Sequence, residues 1–170
     1  MQDDIKDCGV CSLLTIIKTY GGNVSKEYLR ELTKTNKEGT NALFLLDAGA
    51  KLGFYTKALK GDIMTLKNDM LPCIAHVVIN KKYPHFVVIL NVNKKRKIIT
   101  VSDPAKGIVK YRLEEYMHIA TNQYLIFIPN KQVPMIKKNK EVLKNVIEVL
   151  LKYKKVFISI FIFSLFYTII

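Results

Sequence analysis

The chain has 170 residues, 49% of them apolar, with 8 Gly and 5 Pro, and this composition excludes a disordered or collagen-like chain because burial of apolar surface can offset the entropy of ordering. Three cysteines, two of them three positions apart, exclude the even-numbered disulfide framework of a small secreted protein and favour a reducing compartment. The formal charge of +13 indicates an anionic neighbour, either nucleic acid or lipid headgroups.

Three helices are predicted in the first 53 residues, because capping residues bracket segments with helical apolar spacing. They are expected over residues 8–20, with Asp7 as N-cap and Gly21-Gly22 as the end; over residues 25–34, with Ser25 as the cap; and from Thr40 or Asn41 to Gly53. Gly21-Gly22 is therefore interpreted as a helix end and not as a cleavage site.

Six short strands follow, since the apolar period changes to two and β-branched or aromatic residues predominate. They are expected at residues 54–59, 73–79, 86–92, 97–101, 108–111 and 124–128. Helices that precede a mostly antiparallel sheet indicate the α+β class. We expect one soluble domain over residues 1–130.

The composition changes after this domain. Residues 131–155 hold eight lysines and two glutamates, a local charge of +6, and residues 156–170 hold no charged residue. Fifteen helical residues rise only about 22 Å, less than the ~30 Å hydrocarbon core of a bilayer, so residues 156–170 are interpreted as the start of a truncated first transmembrane helix. A buried core helix is the alternative. Residues 141–151 form an amphipathic stripe that suits either an interfacial helix or packing on the soluble domain.

The charge distribution predicts the side of the membrane. Lys152, Lys154 and Lys155 immediately precede the apolar segment, as the positive-inside rule expects where a first membrane helix leaves the cytoplasm. The acidic N-terminus lacks the basic and apolar stretches of a secretory signal. We therefore expect residues 1–130 on the cytoplasmic side of the cell membrane.

The cysteines differ in their expected chemistry. Cys8 begins a predicted helix, where backbone N–H groups and the positive dipole end favour a thiolate; the alternative is a buried, inert thiol. Cys11 completes a CxxC pattern, but a zinc site lacks its other ligands and a thioredoxin-like motif lacks its preceding strand. Cys11 and Cys73 are therefore expected to pack in the core.

One of the three histidines is the expected base. His118 lies in a polar segment and is predicted to be exposed, whereas His76 shares a strand face with apolar residues and is predicted to be a core or rim residue. His85 opens a strand after the turn-like Tyr83-Pro84, where a side chain is held rigidly beside solvent.

Asp103 is the expected partner of His85. If the next strand returns with Val92 opposite Arg96, then His85 faces Asp103 across the pair. A carboxylate there would orient the imidazole and stabilise its charged form. The alternative for Asp103-Pro104 is simple turn chemistry. Gln2, six residues before Cys8, carries an amide that can donate to an oxyanion, although a glutamine alone indicates nothing.

These residues lie in four blocks that resemble a known family. The blocks are QDDIKDCGVCSL at 2–13, NKEGTNALFLLDAGAKLGF at 36–54, PCIAHVVINKKYPHFVVI at 72–89 and SDPAKG at 102–107. In this order they resemble the papain-like peptidase domain at the N-terminus of bacteriocin-processing ABC transporters, and the likeness covers most of residues 2–128. The resemblance implies that Cys8 is the nucleophile, His85 the general base and acid, Asp103 the residue that orients His85, and Gln2 the oxyanion donor.

The resemblance also implies a function. Such domains cleave bacteriocin or signalling-peptide precursors after a double-glycine leader, and the attached transporter exports the product. The implied partners are the precursor, membrane lipid at the C-terminal segment, and transporter domains in a homodimer. The chain contains no GxxxxGK[ST] loop, so no cofactor is expected and ATP would bind a downstream domain. The chain is then a fragment or a truncated gene product.

The sequence allows two alternative functions. Relatives of this family that lack the cysteine bind leaders without cutting them, which makes a non-catalytic leader-binding adaptor the first alternative; the presence of Cys8 argues against it. A nucleic-acid-binding protein is the second. Residues 1–130 carry only +7, without arginine clusters or an aromatic stacking platform, so no nucleic-acid partner is expected.

Overall fold

The computed structural model describes residues 5–37, 39–130, 151–154 and 164. The chain divides into two compact units, Met1–Ile136 and Lys137–Ile170. The elements that position the candidate site all belong to the first unit. In the second unit, the described residues are mostly helical.

Three helices precede the sheet, as predicted. They are α1 (Cys8–Thr19), α2 (Lys26–Leu32) and α3 (Ala42–Lys51). Ser25 Oγ accepts a hydrogen bond from the N–H of Tyr28 at 3.2 Å, and Asn41 Oδ1 accepts one from Leu43 at 2.8 Å. These side chains satisfy backbone donors that a helix N-terminus leaves without partners, which is why α2 and α3 begin where they do.

The end of α1 confirms the interpretation of Gly21-Gly22. The Gly22 N–H donates to the Ile17 carbonyl at 2.9 Å and the Gly21 N–H to the Lys18 carbonyl at 3.0 Å. Gly21 has a φ of +79°, a conformation that lacks a steric penalty only in glycine. This is the Schellman pattern of helix termination, so the glycine pair has a structural role.

The six predicted strands form one antiparallel sheet. The strands are β1 (Phe54–Lys60), β2 (Cys73–Ile79), β3 (Tyr83–Asn93), β4 (Ile98–Asp103), β5 (Gly107–Arg112) and β6 (Ala120–Pro129), in the order β1-β6-β2-β3-β4-β5. Short 3₁₀ helices occur at Ile5–Asp7, Ile63–Thr65 and Asn68–Met70, and a fourth helix, α4, spans Leu113–Met117. The α+β prediction is confirmed, and the two central strands of the sheet include β3, which carries His85.

Two hydrophobic clusters occupy the opposite faces of the sheet. Because alternate residues of a strand point to opposite faces, Ile74 and Val88 pack with α1, α2 and α3, whereas Cys73 and Ile89 belong to the second cluster. The second cluster also includes Ile63 from a 3₁₀ helix and Tyr116 from α4, both 0% exposed. Burial of an apolar side chain of this size contributes about 1.5–3 kcal/mol, so both faces stabilise the sheet.

The predicted register between β3 and β4 is wrong. Val92 pairs with Ile99, not with Arg96, and Val88 pairs with Ser102 after an irregularity between Ile89 and Asn91. The turn is longer than expected because Asn93 Oδ1 accepts from the N–H of Arg96 at 2.9 Å and Lys97 adopts a positive φ of 52°. His85 and Asp103 are consequently diagonal neighbours on one face, still within reach of each other.

Most of the predicted C-terminal features lie outside the described residues. These are the basic linker over residues 131–155, except 151–154, and the apolar segment over residues 156–170, except Ser164. Within the part of the chain that the structure describes, no helix has the length and apolar character needed to span a bilayer.

Candidate active site

Cys8 is the first residue of α1 and is half-buried. Gly9 allows the helix to begin this close to its neighbours, because a Cβ at that position would overlap the Thr40 methyl group and lie 3.4 Å from Phe86 Cδ2. Phe86 directly follows His85 on β3. The small residue after Cys8 thus brings the thiol close to the start of β3.

Ser12 fixes α1 to the same strand. Its hydroxyl donates to the Phe86 carbonyl at 3.2 Å, and Ser12 itself is 0% exposed. A buried hydroxyl without an acceptor would cost about 1–3 kcal/mol, so this bond specifies where the helix lies along β3. The helix that carries Cys8 and the strand that carries His85 are therefore joined one turn from the thiol.

His85 and Asp103 form a buried pair. His85 Nε2 lies 2.9 Å from Asp103 Oδ1, and the two side chains are 8% and 2% exposed. Asp103 Oδ1 also accepts the N–H of Ala105 at 2.8 Å. The turn chemistry and the histidine pairing that the sequence offered as alternatives for Asp103 are both present.

The charge on His85 is favoured by its two partners. Burial by itself lowers the pKa of His85, but the hydrogen bonds and negative charges of Cys8 and Asp103 outweigh it, so that its pKa is raised above the usual 6.5. Because Asp103 binds Nε2, the other ring nitrogen, Nδ1, is the one that can serve Cys8. A thiol, an imidazole and a carboxylate arranged in this order suit nucleophilic attack on a carbonyl carbon.

His76 has a different environment. Thr121 Oγ1 donates to the His76 carbonyl at 2.8 Å and lies 3.0 Å from His76 Nδ1, so Nδ1 is the donor in that second bond. The ring packs against Phe86 at 5.4 Å between centroids. Burial and the charge of His85 lower the pKa of His76. The prediction that His76 is a core or rim residue with its hydrogen bonds satisfied is confirmed. His118, at the end of α4, is exposed, as predicted.

The other two cysteines lie in the core, as predicted. Cys11 is 7% exposed and Cys73 is 0% exposed. Burial raises the pKa of Cys73 to about 12, which suppresses the thiolate and with it nucleophilic reactivity.

Asp7 differs from the sequence prediction in one respect. It holds the N-cap position of α1, but its side chain makes no capping hydrogen bond. Instead the carboxylate binds Arg30 of α2 through both oxygens. This ion pair was not predicted, because its members lie 23 residues apart on different elements and no sequence period links them.

Gln2, the predicted oxyanion donor, lies outside the described residues. Its role stays a prediction, as do the roles of Cys8, His85 and Asp103, whose proximity is observed. In the described ranges, no group of three or more His, Cys, Asp or Glu side chains is placed to hold a metal ion.

A family model and individual relatives agree on the family that this chain resembles. A family model for the peptidase C39 family matches residues 1–133. A lactococcin transport/processing ATP-binding protein, LcnC-like, from Lactococcus lactis subsp. lactis (strain IL1403) is 36% identical over 171 residues, which cover 99% of this chain and 24% of the relative. The transport/processing ATP-binding protein ComA of Streptococcus pneumoniae (strain ATCC BAA-255 / R6) is 32% identical, with 99% and 24% covered. The chain thus spans about a quarter of the length of these relatives.

Solved structures extend the similarity to the fold. The peptidase domain of Streptococcus ComA, described as a bifunctional ABC transporter in a quorum-sensing pathway, matches with a TM-score of 0.68 and 35% identity, covering 75% of this chain and 95% of that domain. A double glycine motif protease from an AMS/PCAT transporter, solved in complex with the leader peptide, matches with a TM-score of 0.68 and 34% identity, covering 76% and 89%. In both cases the match covers most of the solved domain.

Proposed function

The chain belongs to the peptidase C39 family, and on that premise we propose that it cleaves double-glycine leader peptides from bacteriocin or signalling-peptide precursors, for export by an attached ABC transporter. The family membership agrees with the papain-like cysteine peptidase expected from the sequence. The observation that carries the proposal is the buried pair of His85 and Asp103, with Cys8 bound to the same imidazole.

The proposed mechanism uses four residues in the roles expected from the sequence. The Cys8 thiolate attacks the carbonyl carbon of the scissile bond, while His85 holds the thiol proton and then donates it to the leaving amine. Asp103 keeps the imidazole oriented. Gln2 donates its amide N–H to the developing oxyanion.

The first half of the reaction leaves a thioester between Cys8 and the leader. His85 then removes a proton from water, the hydroxide attacks the thioester carbonyl, and the leader carboxylate and the Cys8 thiol are released. In the proposed mechanism, the raised pKa of His85 favours the imidazolium form that results when His85 receives the Cys8 proton.

The substrate class is supported by the relatives. One relative is a lactococcin transport/processing protein, and one solved neighbour is a double glycine motif protease in complex with the leader peptide. Glycines at the cleavage point suit a narrow slot beside Cys8.

We further propose how the domain is placed in the cell. The uncharged segment at residues 156–170, preceded by Lys152, Lys154 and Lys155, supports a membrane helix that contacts lipid, with the peptidase unit on the cytoplasmic side. Transporter domains of a homodimer are the proposed protein partners, and nucleic acid is not. The peptidase reaction needs no cofactor, and ATP would bind a downstream nucleotide-binding domain.

A cleavage assay tests the proposed function. The purified chain is incubated with a double-glycine precursor, and the released peptide is identified by mass spectrometry. We expect Cys8→Ala to abolish cleavage, because no other group supplies the nucleophile. Cys11→Ala, the same change one turn further along α1, should retain cleavage.

Two results would contradict the proposal. Equal cleavage by the unaltered chain and by Cys8→Ala would remove Cys8 from the mechanism. Binding of the precursor without cleavage by either protein would instead favour a leader-binding adaptor. A precursor in which the second glycine of the pair is replaced by valine serves as the substrate control and should resist cleavage.

A further inference from the structure

The residue before the proposed nucleophile forms an ion pair with α2. Asp7, which precedes Cys8, is 3% exposed. Its Oδ1 accepts from Arg30 Nε at 3.0 Å, and its Oδ2 accepts from Arg30 Nη2. Bidentate bonds between a guanidinium and a carboxylate are strong and directional. The carboxylate is thus held by α2, and the helix that it precedes receives no capping bond from it.

The position of Asp7 bears on the charge of Cys8. A carboxylate one residue before the thiol, in a partly buried site, repels a thiolate unless its own charge is balanced. Arg30 supplies that balance. A thiolate formed at Cys8 would then meet the positive N-terminal end of α1 and the His85 imidazolium without an opposing charge from Asp7.

Charged and titratable groups on the neighbouring elements lie near His85 or near the ion pair. His85 of β3 interacts with Cys8, and Asp103 of β4 and His76 of β2 interact with His85. Lys6 and Lys37 line a pocket together with Asp7 and Arg30. Asp103 is bound to His85, and its charge favours the imidazolium. Asp7 is therefore the neighbouring carboxylate whose charge must be balanced from elsewhere.

We propose that Arg30 is a positioning residue for the Cys8 nucleophile, which acts by holding and neutralising the Asp7 carboxylate at the start of α1. The proposal rests on the role of Cys8 in the proposed function, but not on the identity of the peptide substrate. Its first consequence is mechanical, since α2 fixes the segment from which Cys8 projects. Its second consequence is electrostatic, and the two can be separated by experiment.

The test is the pH dependence of Cys8 alkylation by iodoacetamide, measured on the purified full chain, with mass spectrometry to assign the label. Arg30→Gln leaves the Asp7 charge unbalanced. The Arg30 side chain is 35% exposed, so water partly screens its charge. We therefore expect the alkylation midpoint to rise by about one pH unit, with about tenfold slower alkylation at pH values below the midpoint.

Asp7→Asn is expected to shift the midpoint in the opposite direction, because it removes the negative charge and leaves the guanidinium. The double variant Asp7→Asn/Arg30→Gln should return the midpoint close to that of the unaltered chain. If the Asp7–Arg30 pair acted only as a structural tether, both single variants would lose Cys8 reactivity towards iodoacetamide, and the double variant would not recover it.

Arg96→Gln is the matched control, since Arg96 is exposed in the turn between β3 and β4, and it should leave the midpoint unchanged. If circular dichroism shows that Arg30→Gln does not fold, Arg30→Lys replaces it and should keep the midpoint, while Asp7→Asn still lowers it. Single variants whose midpoints both stay unchanged, or both move in one direction, would overturn the proposal. Alkylation needs no peptide, so failure to cleave double-glycine precursors would contradict the proposed function alone.

Discussion

His85 lies between two partners that restrain different nitrogens of its ring. Asp103 binds Nε2 at 2.9 Å, which leaves Nδ1 for Cys8. Asp103 is itself held by the N–H of Ala105 at 2.8 Å. One carboxylate oxygen therefore closes a turn and orients the imidazole, so the geometry of the turn determines the direction in which the ring points.

Replacement of Asp103 separates its charge from its hydrogen bonds. Asp103→Asn keeps an acceptor oxygen for both donors but loses the negative charge, and we expect kcat/KM for precursor cleavage to fall about tenfold. Asp103→Ala leaves the buried His85 Nε2–H without an acceptor, at a cost of about 1–3 kcal/mol, and should lower kcat/KM at least tenfold further, since 1.4 kcal/mol corresponds to a factor of ten.

The pH profile distinguishes these effects. Loss of the Asp103 charge removes one of the influences that raise the pKa of His85. The alkaline limb of kcat/KM, where the imidazolium loses its proton, should therefore move to lower pH in Asp103→Asn. Asp69→Asn, an exposed carboxylate on a 3₁₀ helix, is the control. An unchanged alkaline limb in Asp103→Asn would contradict the assigned role.

At the scale of elements, the packing of α1 and α3 against their neighbours depends on small residues. The ideal Cβ of an alanine at Gly9 would overlap the Thr40 methyl group and approach Leu45 Cδ1 to 3.3 Å. Gly49 of α3 is equally crowded, with Phe127 Cδ1 at 2.7 Å and Thr56 Cγ2 at 2.9 Å from such a Cβ. The same substitution can therefore be compared at two crowded helix positions, one next to Cys8 in α1 and one in α3.

Gly9→Ala and Gly49→Ala should both lower the melting temperature, because overpacking costs about 1–3 kcal/mol and the gain in helix propensity returns at most about 1 kcal/mol. We expect their activities to differ. At a temperature where both variants are folded, Gly9→Ala should lose most of its kcat, since the start of α1 must move away from Thr40 and carry Cys8 with it, while Gly49→Ala should retain it. Equal losses of kcat in the two variants would contradict a local effect at Cys8.

The elements were predictable to the extent that local chemistry determines them. Ser25 and Asn41 cap helices where their residue types predict it, and alternation of apolar residues predicted all six strands. The helix α4 was missed, because its five residues are too few for a helical period to be recognised. The register of β3 with β4 was wrong because it depends on the turn at Lys97 and on the irregularity after Ile89, neither of which has a sequence signal.

The candidate site was predictable for a related reason. Cys8, His85 and Asp103 carry rare chemical groups at the starts and ends of predicted elements, and the structure brings them together. Arg30 is one of many basic residues, and nothing in its local sequence indicates that α2 would hold it against Asp7. Long-range ion pairs of this kind depend on how the helices pack, which local patterns do not determine.

At the scale of the whole molecule, the sheet order places the three groups on neighbouring elements. The strands β2, β3 and β4 are adjacent in the sheet, and α1 packs on β2 and β3. Protonation of one histidine therefore affects the pKa of the other, and the charge of His85 contributes to the lowered pKa of His76. The stability of this unit should depend on pH through both residues, with opposite signs.

The pKa of His85 is raised in the folded chain above its usual 6.5, so its stabilising contribution is fully present below pH 6.5 and is lost as the pH rises through the folded-state value. The pKa of His76 is lowered, so its contribution is present above pH 6.5 and is lost as the pH falls through the folded-state value. We expect the free energy of unfolding, measured by urea titration from pH 5 to pH 9, to decrease on both sides of a maximum. His85→Gln should flatten the alkaline decrease and His76→Gln the acidic one, whatever each substitution does to the absolute stability. An alkaline slope that stays the same in His85→Gln would mean that the imidazolium is not stabilised by Cys8 and Asp103 in the folded chain.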